Sequence, residues 1–138
     1  MNQIFLYHIQ DYIRVNKAGV LDLVKMKESI QEIGRQAQQF PGHDILIDSR
    51  KVHLDNDVHD RVLEILVELV VILLQDFNGK IANMISSDPR RVAFARKLEL
   101  GVQEVGIQYR IFFDHEAAMD WLSERQTLGL GNGNAEEV

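Results

Sequence analysis

Apolar positions recur along the chain with two different periods, and this pattern predicts strands that alternate with helices. Short apolar runs and two-residue alternation indicate strands, whereas apolar residues three or four apart indicate helices. The first two strands should form an antiparallel hairpin that turns at Gln10 and Asp11. In all, strands are expected at residues 4–9, 12–18, 44–48, 80–85 and 107–113.

Helix signals lie between and after these strands. Asp22, Asp88 and Asp114 stand where three helices should begin, because aspartate is a favoured N-cap residue. The first helix should end before Phe40, since Pro41 disfavours helical geometry in the residue before it. The remaining helices are expected at about 58–77, at 89–101, where Gly101 should close the helix, and after residue 114.

The order of these elements, β-β-α-β-α-β-α-β-α, predicts the fold class. Strands that alternate with helices favour an α/β fold with right-handed crossovers. We expect a mostly parallel central sheet of about five strands, with an N-terminal antiparallel hairpin and about four helices. Residues 1–125 should form a single domain, and the glycine-rich, polar segment 126–138 should be a flexible tail.

Composition narrows the classes of function. The chain has 138 residues, of which 46% are hydrophobic, and this size suits one core. A net charge of -6 argues against nonspecific binding to nucleic acid. There is no cysteine, which excludes disulfides, thiolate metal sites and cysteine nucleophiles. The sequence shows no signal peptide and no membrane span, so a soluble cytoplasmic protein is the default expectation.

The segment KVHLDNDVHD, residues 51–60, holds the densest group of metal-ligating residue types. His53, Asp55, Asp57 and His59 alternate, so an extended backbone would place all four on one face, where they could bind a divalent ion. The segment lacks a turn glycine, however, and a solvated loop in which Asp57 caps the next helix is the preferred interpretation. No metal, cofactor or catalytic residue is predicted.

A second candidate lies in SSDPRR, residues 86–91. Ser87, Arg90 and Arg91 stand at the start of a helix and could bind an anion there. The alternative is an ordinary capped helix with a basic outer face. Neither a phosphate-binding loop nor a nucleophile elbow is present, and the pattern does not indicate an enzyme.

The long helix after the loop offers a candidate association surface. Its polar stripe of Asp57, Arg61, Glu64 and Glu68 becomes apolar one turn later, at Val71 and Ile72. Such a patch is typical of a surface that binds a partner or a second copy of the chain. The alternative is that neighbouring segments cover it.

Three segments resemble one family in the same order along the chain. IRVNKAGVLD is similar to the strand and turn that open STAS domains, and ILIDSRKVHLDNDVHDRVLEIL is similar to their strand, switch loop and long helix. YRIFFDHEAAMDWL resembles the close of the stage II sporulation AA-like proteins, a STAS-like branch with CRAL-TRIO-like relatives. The resemblance spans residues 4–125.

The resemblance implies a non-catalytic regulatory module that binds a protein partner, and we expect a homodimer. In the family a serine of the switch loop is phosphorylated. Here the matching loop has no serine or threonine, so no phosphorylation switch is expected. The partner-facing loop would be Asp55, Asn56, Asp57 and His59.

The CRAL-TRIO-like relatives suggest a second hypothesis, a carrier for a small apolar molecule or lipid. The apolar helix VLEILVELVVILL, together with Phe94, Phe112 and Phe113, could line its pocket. The alternative is a filled core. A metal-dependent hydrolase built on the four loop residues is a distant third hypothesis.

Overall fold

The computed structural model describes residues 2–6 and 11–124, with side chains from Tyr12 to Glu124. Because apolar side chains alternate along the strands and recur every three or four residues in the helices, each element buries one face. The elements are β1 Asn2–Leu6, β2 Asp11–Leu21, α1 Leu23–Gln39, β3 Asp44–Leu54, α2 Arg61–Leu74, β4 Lys80–Ile85, α3 Pro89–Glu104, β5 Gln108–Phe112 and α4 His115–Ser123.

The strands form one sheet in the order β1-β2-β3-β4-β5. Strands β2 to β5 are parallel to one another, and the backbone of β1 pairs antiparallel with β2. The predicted α/β class and the four helices are thereby confirmed. The turn of the predicted hairpin falls partly on residues 7–10, and the predicted tail lies at 126–138; both lie outside the described residues.

The sheet has a different cover on each face. Successive right-handed crossovers place α1, α2 and α3 on one face, where Ile33, Val70 and Ala95 pack against strand residues such as Ile13 and Ile45. Helix α4 covers the opposite face, where its apolar side chains pack against Tyr12, Leu46, Ala82, Met84 and Phe112.

Three predicted helix starts are confirmed. The carboxylates of Asp22, Asp88 and Asp114 each accept a hydrogen bond from a backbone N–H in the first turn of α1, α3 and α4, respectively. Pro89 follows Asp88 at the start of α3, where its missing N–H costs nothing. The cap of α3 fixes the position of Arg91, whose backbone N–H donates to Asp88 at 3.0 Å.

The predicted boundaries around the loop after β3 are wrong. Strand β3 extends beyond residue 48 because Lys51–Leu54 pair with Ala18–Leu21, past an irregularity in the pairing at which β3 has one extra residue. Helix α2 begins at Arg61 and ends at Leu74, so it is shorter than predicted at both ends. Asp60, and not Asp57, occupies its N-cap position, and Asp60 makes no side-chain capping bond.

The prediction that Gly101 closes the third helix is also wrong. Gly101 lies inside α3, where a Cβ atom would come within 2.8 Å of the Val67 Cγ2 atom on α2. The glycine therefore allows α2 and α3 to approach closely. The chain leaves α3 at Gly106, whose φ of 91° suits glycine. Among the described residues, no helix is long and apolar enough to cross a bilayer.

Candidate functional site

A cavity of about 100 Å³ lies between the sheet and helices α1, α2 and α3. Most of its lining is apolar and includes Met26 of α1, Ile47 of β3, and Leu66 and Val70 of α2. These side chains are also part of the buried core, so the walls of the cavity are held by the same packing that stabilises the fold. Mostly apolar cavities with a few polar groups are typical of sites for small molecules.

Three polar side chains form a buried hydrogen-bonded chain across the sheet side of this cavity. Ser49 of β3 donates from its hydroxyl to the Asn83 Oδ1 atom of β4. The Asn83 amide nitrogen then donates to the phenol oxygen of Tyr109 on β5 at 2.9 Å. The three residues lie on the same face of adjacent parallel strands. Ser49 and Tyr109 are each two residues from the register partners of Asn83, so the three side chains run diagonally across the strands.

The Tyr109 phenol is neutral and can still donate a hydrogen bond. Burial raises the pKa of Tyr109, while the hydrogen bond from Asn83 and the charge of Arg91 oppose part of that rise. Because Asn83 donates to the phenol oxygen, the phenol hydrogen does not take part in that bond. The phenol hydrogen can therefore be donated to a different acceptor.

Arg91 brings a positive charge to the wall of the cavity. It lies in the first turn of α3 and is only 6% exposed. In the described part of the chain, its Nε atom has no hydrogen-bond partner. Burial lowers the pKa of Arg91, although a guanidinium remains charged at neutral pH. A buried charge is costly unless it is paired, so this site favours an anionic partner.

Lys17 adds a second cation to the lining. Its side chain is half-buried on β2, and the half-buried Ser29 of α1 also belongs to the lining. Burial lowers the pKa of Lys17, and Glu32 opposes that effect. Among the described residues that line the cavity, there is no aspartate or glutamate. Both charged side chains of the described lining are therefore cationic.

The predicted partner-facing loop lies on the surface near the start of α3. Asn56, Asp57 and His59 are exposed, and Asp55 is half-buried. The Arg90 guanidinium holds the loop backbone by donating to the carbonyl oxygens of Leu54, Asp55, Asn56 and Val58, with 2.8 Å to those of Asp55 and Val58. The loop is therefore fixed in shape while most of its polar side chains remain accessible.

The structure does not bring the predicted anion-site residues together. Ser87 is exposed, Arg90 binds the loop backbone, and Arg91 lies in the wall of the cavity. His53 is an exposed residue of β3, apart from the loop proper. Within the described residues, no three histidine, aspartate or glutamate side chains converge as metal ligands.

The other predicted residues are divided between the surface and the two faces of the sheet. Ile72 is 66% exposed and Val71 is partly exposed, so the described segments leave this patch open. Of the three phenylalanines expected in a pocket, Phe94 lines the cavity. Phe112 packs with Trp121 on the opposite face, and Phe113 is largely exposed, so neither belongs to the described lining.

The sequence analysis did not predict the polar residues that line the cavity, although the sequence pattern indicates that two of them face inward. Period-two alternation in KIANMI places Asn83 on the same strand face as Ile81 and Ile85, where an amide requires a partner. Arg91 is in helical phase with Phe94 and Leu98, which places it on the inner face of α3 rather than on a basic outer face.

Fold and site together define an α/β domain with a mostly apolar cavity whose charged lining residues, Lys17 and Arg91, are cationic. Comparison of the chain with models of known protein families finds no family that matches, and no curated protein matches its sequence.

Proposed function

We propose that this protein is a non-catalytic binding module that takes up a small, partly apolar molecule in the cavity between the sheet and helices α1, α2 and α3. The observation that carries the proposal is the combination of apolar walls with a few convergent polar groups. A filled core of this size does not need the buried chain of Ser49, Asn83 and Tyr109, since buried polar groups are costly unless they are satisfied.

The size of the cavity limits the ligand. A cavity of roughly 150 Å³ takes up benzene, which has six carbon atoms. The volume here, about 100 Å³, is smaller. By the same proportion it holds a ligand of about four non-hydrogen atoms in all. We therefore propose a site for a small molecule, because a long-chain lipid would need a larger cavity. The resemblance to STAS-like domains with CRAL-TRIO-like relatives supports the same class of function.

The first prediction concerns a substitution that fills the cavity. Val70 is buried and lines it, whereas its neighbour Val71 is partly exposed and does not belong to the described lining. We expect Val70→Phe to abolish a small noncovalent adduct seen by native mass spectrometry of freshly purified protein. Overpacking should cost about 1–3 kcal/mol of stability.

The matched control is Val71→Phe, which adds the same ring outside the cavity and should keep the adduct. Masses under denaturing conditions distinguish covalent from noncovalent additions. An adduct that persists in Val70→Phe would place the ligand elsewhere. If the unmodified protein carried no adduct and bound none of a set of small apolar and amphipathic compounds, the proposal would be wrong.

A second candidate function is a regulatory module that binds a protein partner, as the STAS-like resemblance implies. Two observations favour this regulatory function. Arg90 fixes the loop in which Asn56, Asp57 and His59 are exposed. The apolar patch at Val71 and Ile72 is open. Under this hypothesis the chain would form a homodimer through the patch.

The homodimer gives the second prediction. Ile72→Asp should convert a dimer into a monomer, because a charge in an apolar interface loses its hydration. Sedimentation velocity measures the oligomeric state directly. Leu100→Asp is the control, since Leu100 is similarly exposed but lies on α3. A monomer for the unmodified protein at micromolar concentration would exclude a stable dimer through this patch.

A further inference from the structure

We propose that the cavity ligand is a small carboxylate whose head group pairs with the Arg91 guanidinium and whose short tail lies among the aliphatic walls. This inference rests on the proposed function and specifies its ligand class. Arg91 is almost completely buried and lines the cavity, and its Nε atom is without a hydrogen-bond partner in the described part of the chain. An ion pair with a ligand would supply that partner.

Among the described residues that line the cavity, no carboxylate is present to pair with Arg91. The Asp88 carboxylate caps the helix by accepting a hydrogen bond from the backbone N–H of Arg91. Asp88 does not belong to the described lining of the cavity. Glu99, on the same helix, accepts the Ile111 backbone N–H at 2.8 Å and a bond from Arg96 at 3.3 Å. The second cation of the lining, Lys17, interacts electrostatically with Glu32, which lies outside the described lining.

The arrangement of donors favours a carboxylate over other anions. A carboxylate presents two oxygens that can accept separate hydrogen bonds. The Arg91 guanidinium can donate to one or both, and the Tyr109 phenol hydrogen is available because Asn83 donates to the phenol oxygen. A phosphate group would occupy most of a volume of about 100 Å³ and leave little room for a tail against the apolar walls.

Straight-chain acids and their amides test the inference. Acetate, propionate, butyrate and pentanoate would be titrated into the unmodified protein by isothermal calorimetry, alongside acetamide, propionamide, butyramide and pentanamide. Each amide has nearly the shape of its acid but no charge. Because hydrogen bonds to charged groups are the stronger ones, we expect the best acid to bind about 10- to 100-fold more tightly than its amide.

Arg91→Met should remove this preference while leaving weak binding of the amide, because methionine keeps the approximate length of the side chain without its charge. The control is Arg61→Met, an exposed position at the start of α2 that lies outside the described lining. That variant should keep the full preference. The comparison of acid with amide on the unmodified protein needs no variant, so a failure of Arg91→Met to fold would not prevent the test.

The outcomes separate the two proposals. Equal binding of acid and amide to the unmodified protein would overturn the carboxylate inference and leave the small-molecule site standing. A preference that survives in Arg91→Met would also overturn it. Displacement of the acid by sodium chloride at equal concentration would show that an inorganic anion suffices, which contradicts the inference. If neither acids nor amides bound, both the inference and the proposed site for small tails would fail.

Discussion

Trp121→Ala is expected to lower the free energy of unfolding by about 3–5 kcal/mol, the range seen when large aromatic side chains are removed from cores. Trp121 is only 9% exposed and belongs to the cluster that attaches α4 to the sheet. Its ring lies 5.7 Å from that of Phe112, and the Lys80 Nζ and Arg110 Cζ atoms lie 5.3 and 5.5 Å from its centre. Substitution therefore removes apolar burial and two cation–π contacts together.

The measurement is chemical denaturation followed by circular dichroism. Phe113→Ala is the matched control, because Phe113 is an aromatic residue directly after β5 whose side chain is 42% exposed. It should cost less than about 1 kcal/mol. Because α4 lies on the face opposite the cavity, Trp121→Ala should leave the acid-to-amide preference unchanged wherever the variant remains folded. Equal losses of stability in the two variants would contradict the assigned packing.

Leu66→Ala is expected to lower the free energy of unfolding by about 2–5 kcal/mol. Leu66 is 1% exposed and lines the cavity, so its removal enlarges a space that already exists. The remaining walls are held by the sheet and by the close approach of α2 and α3 at Gly101, so they cannot readily collapse. We therefore expect the loss to lie in the upper part of that range.

The same variant should accept longer ligands, because the missing side-chain atoms add volume beside the tail. The preferred acid should become longer by one or more carbons in calorimetric titrations of Leu66→Ala. The control is Ile65→Ala, whose side chain is 41% exposed and which should cost less than about 1 kcal/mol. An unchanged chain-length preference in Leu66→Ala would show that the tail does not lie against α2.

The fold could be predicted largely from local signals. The apolar run at Lys80–Ile85 and the three aspartate caps are local features, and they occur where the sequence predicts them. The length of β3 could not be predicted from local sequence signals. Its outer half is exposed at Arg50, Lys51 and His53, and it is a strand because it pairs with β2 beyond the irregularity.

The cavity could not be predicted from local sequence patterns, because it is formed by contacts between elements that are distant in the sequence. Gly101 resembles a helix terminator, yet its role is to allow contact with α2, which is a property of two helices together. In the sequence, Arg90 and Arg91 look like neighbours on one basic surface. In the helix that Asp88 caps, Arg90 binds the loop backbone while Arg91 lines the cavity. Only the assembled sheet and helices bring Arg91 of α3 and Tyr109 of β5 to the same cavity.

Methyl NMR spectroscopy of the protein titrated with butyrate tests the central claim most directly. We predict shifts concentrated on methyl groups of the lining, such as those of Met26, Ile47 and Leu66, with little change at exposed Ile72. The same titration of Val70→Phe should give no such shifts, whereas Val71→Phe should behave like the unmodified protein. Absence of shifts at the lining methyls, or identical shifts in Val70→Phe, would contradict the assignment of the cavity as the binding site.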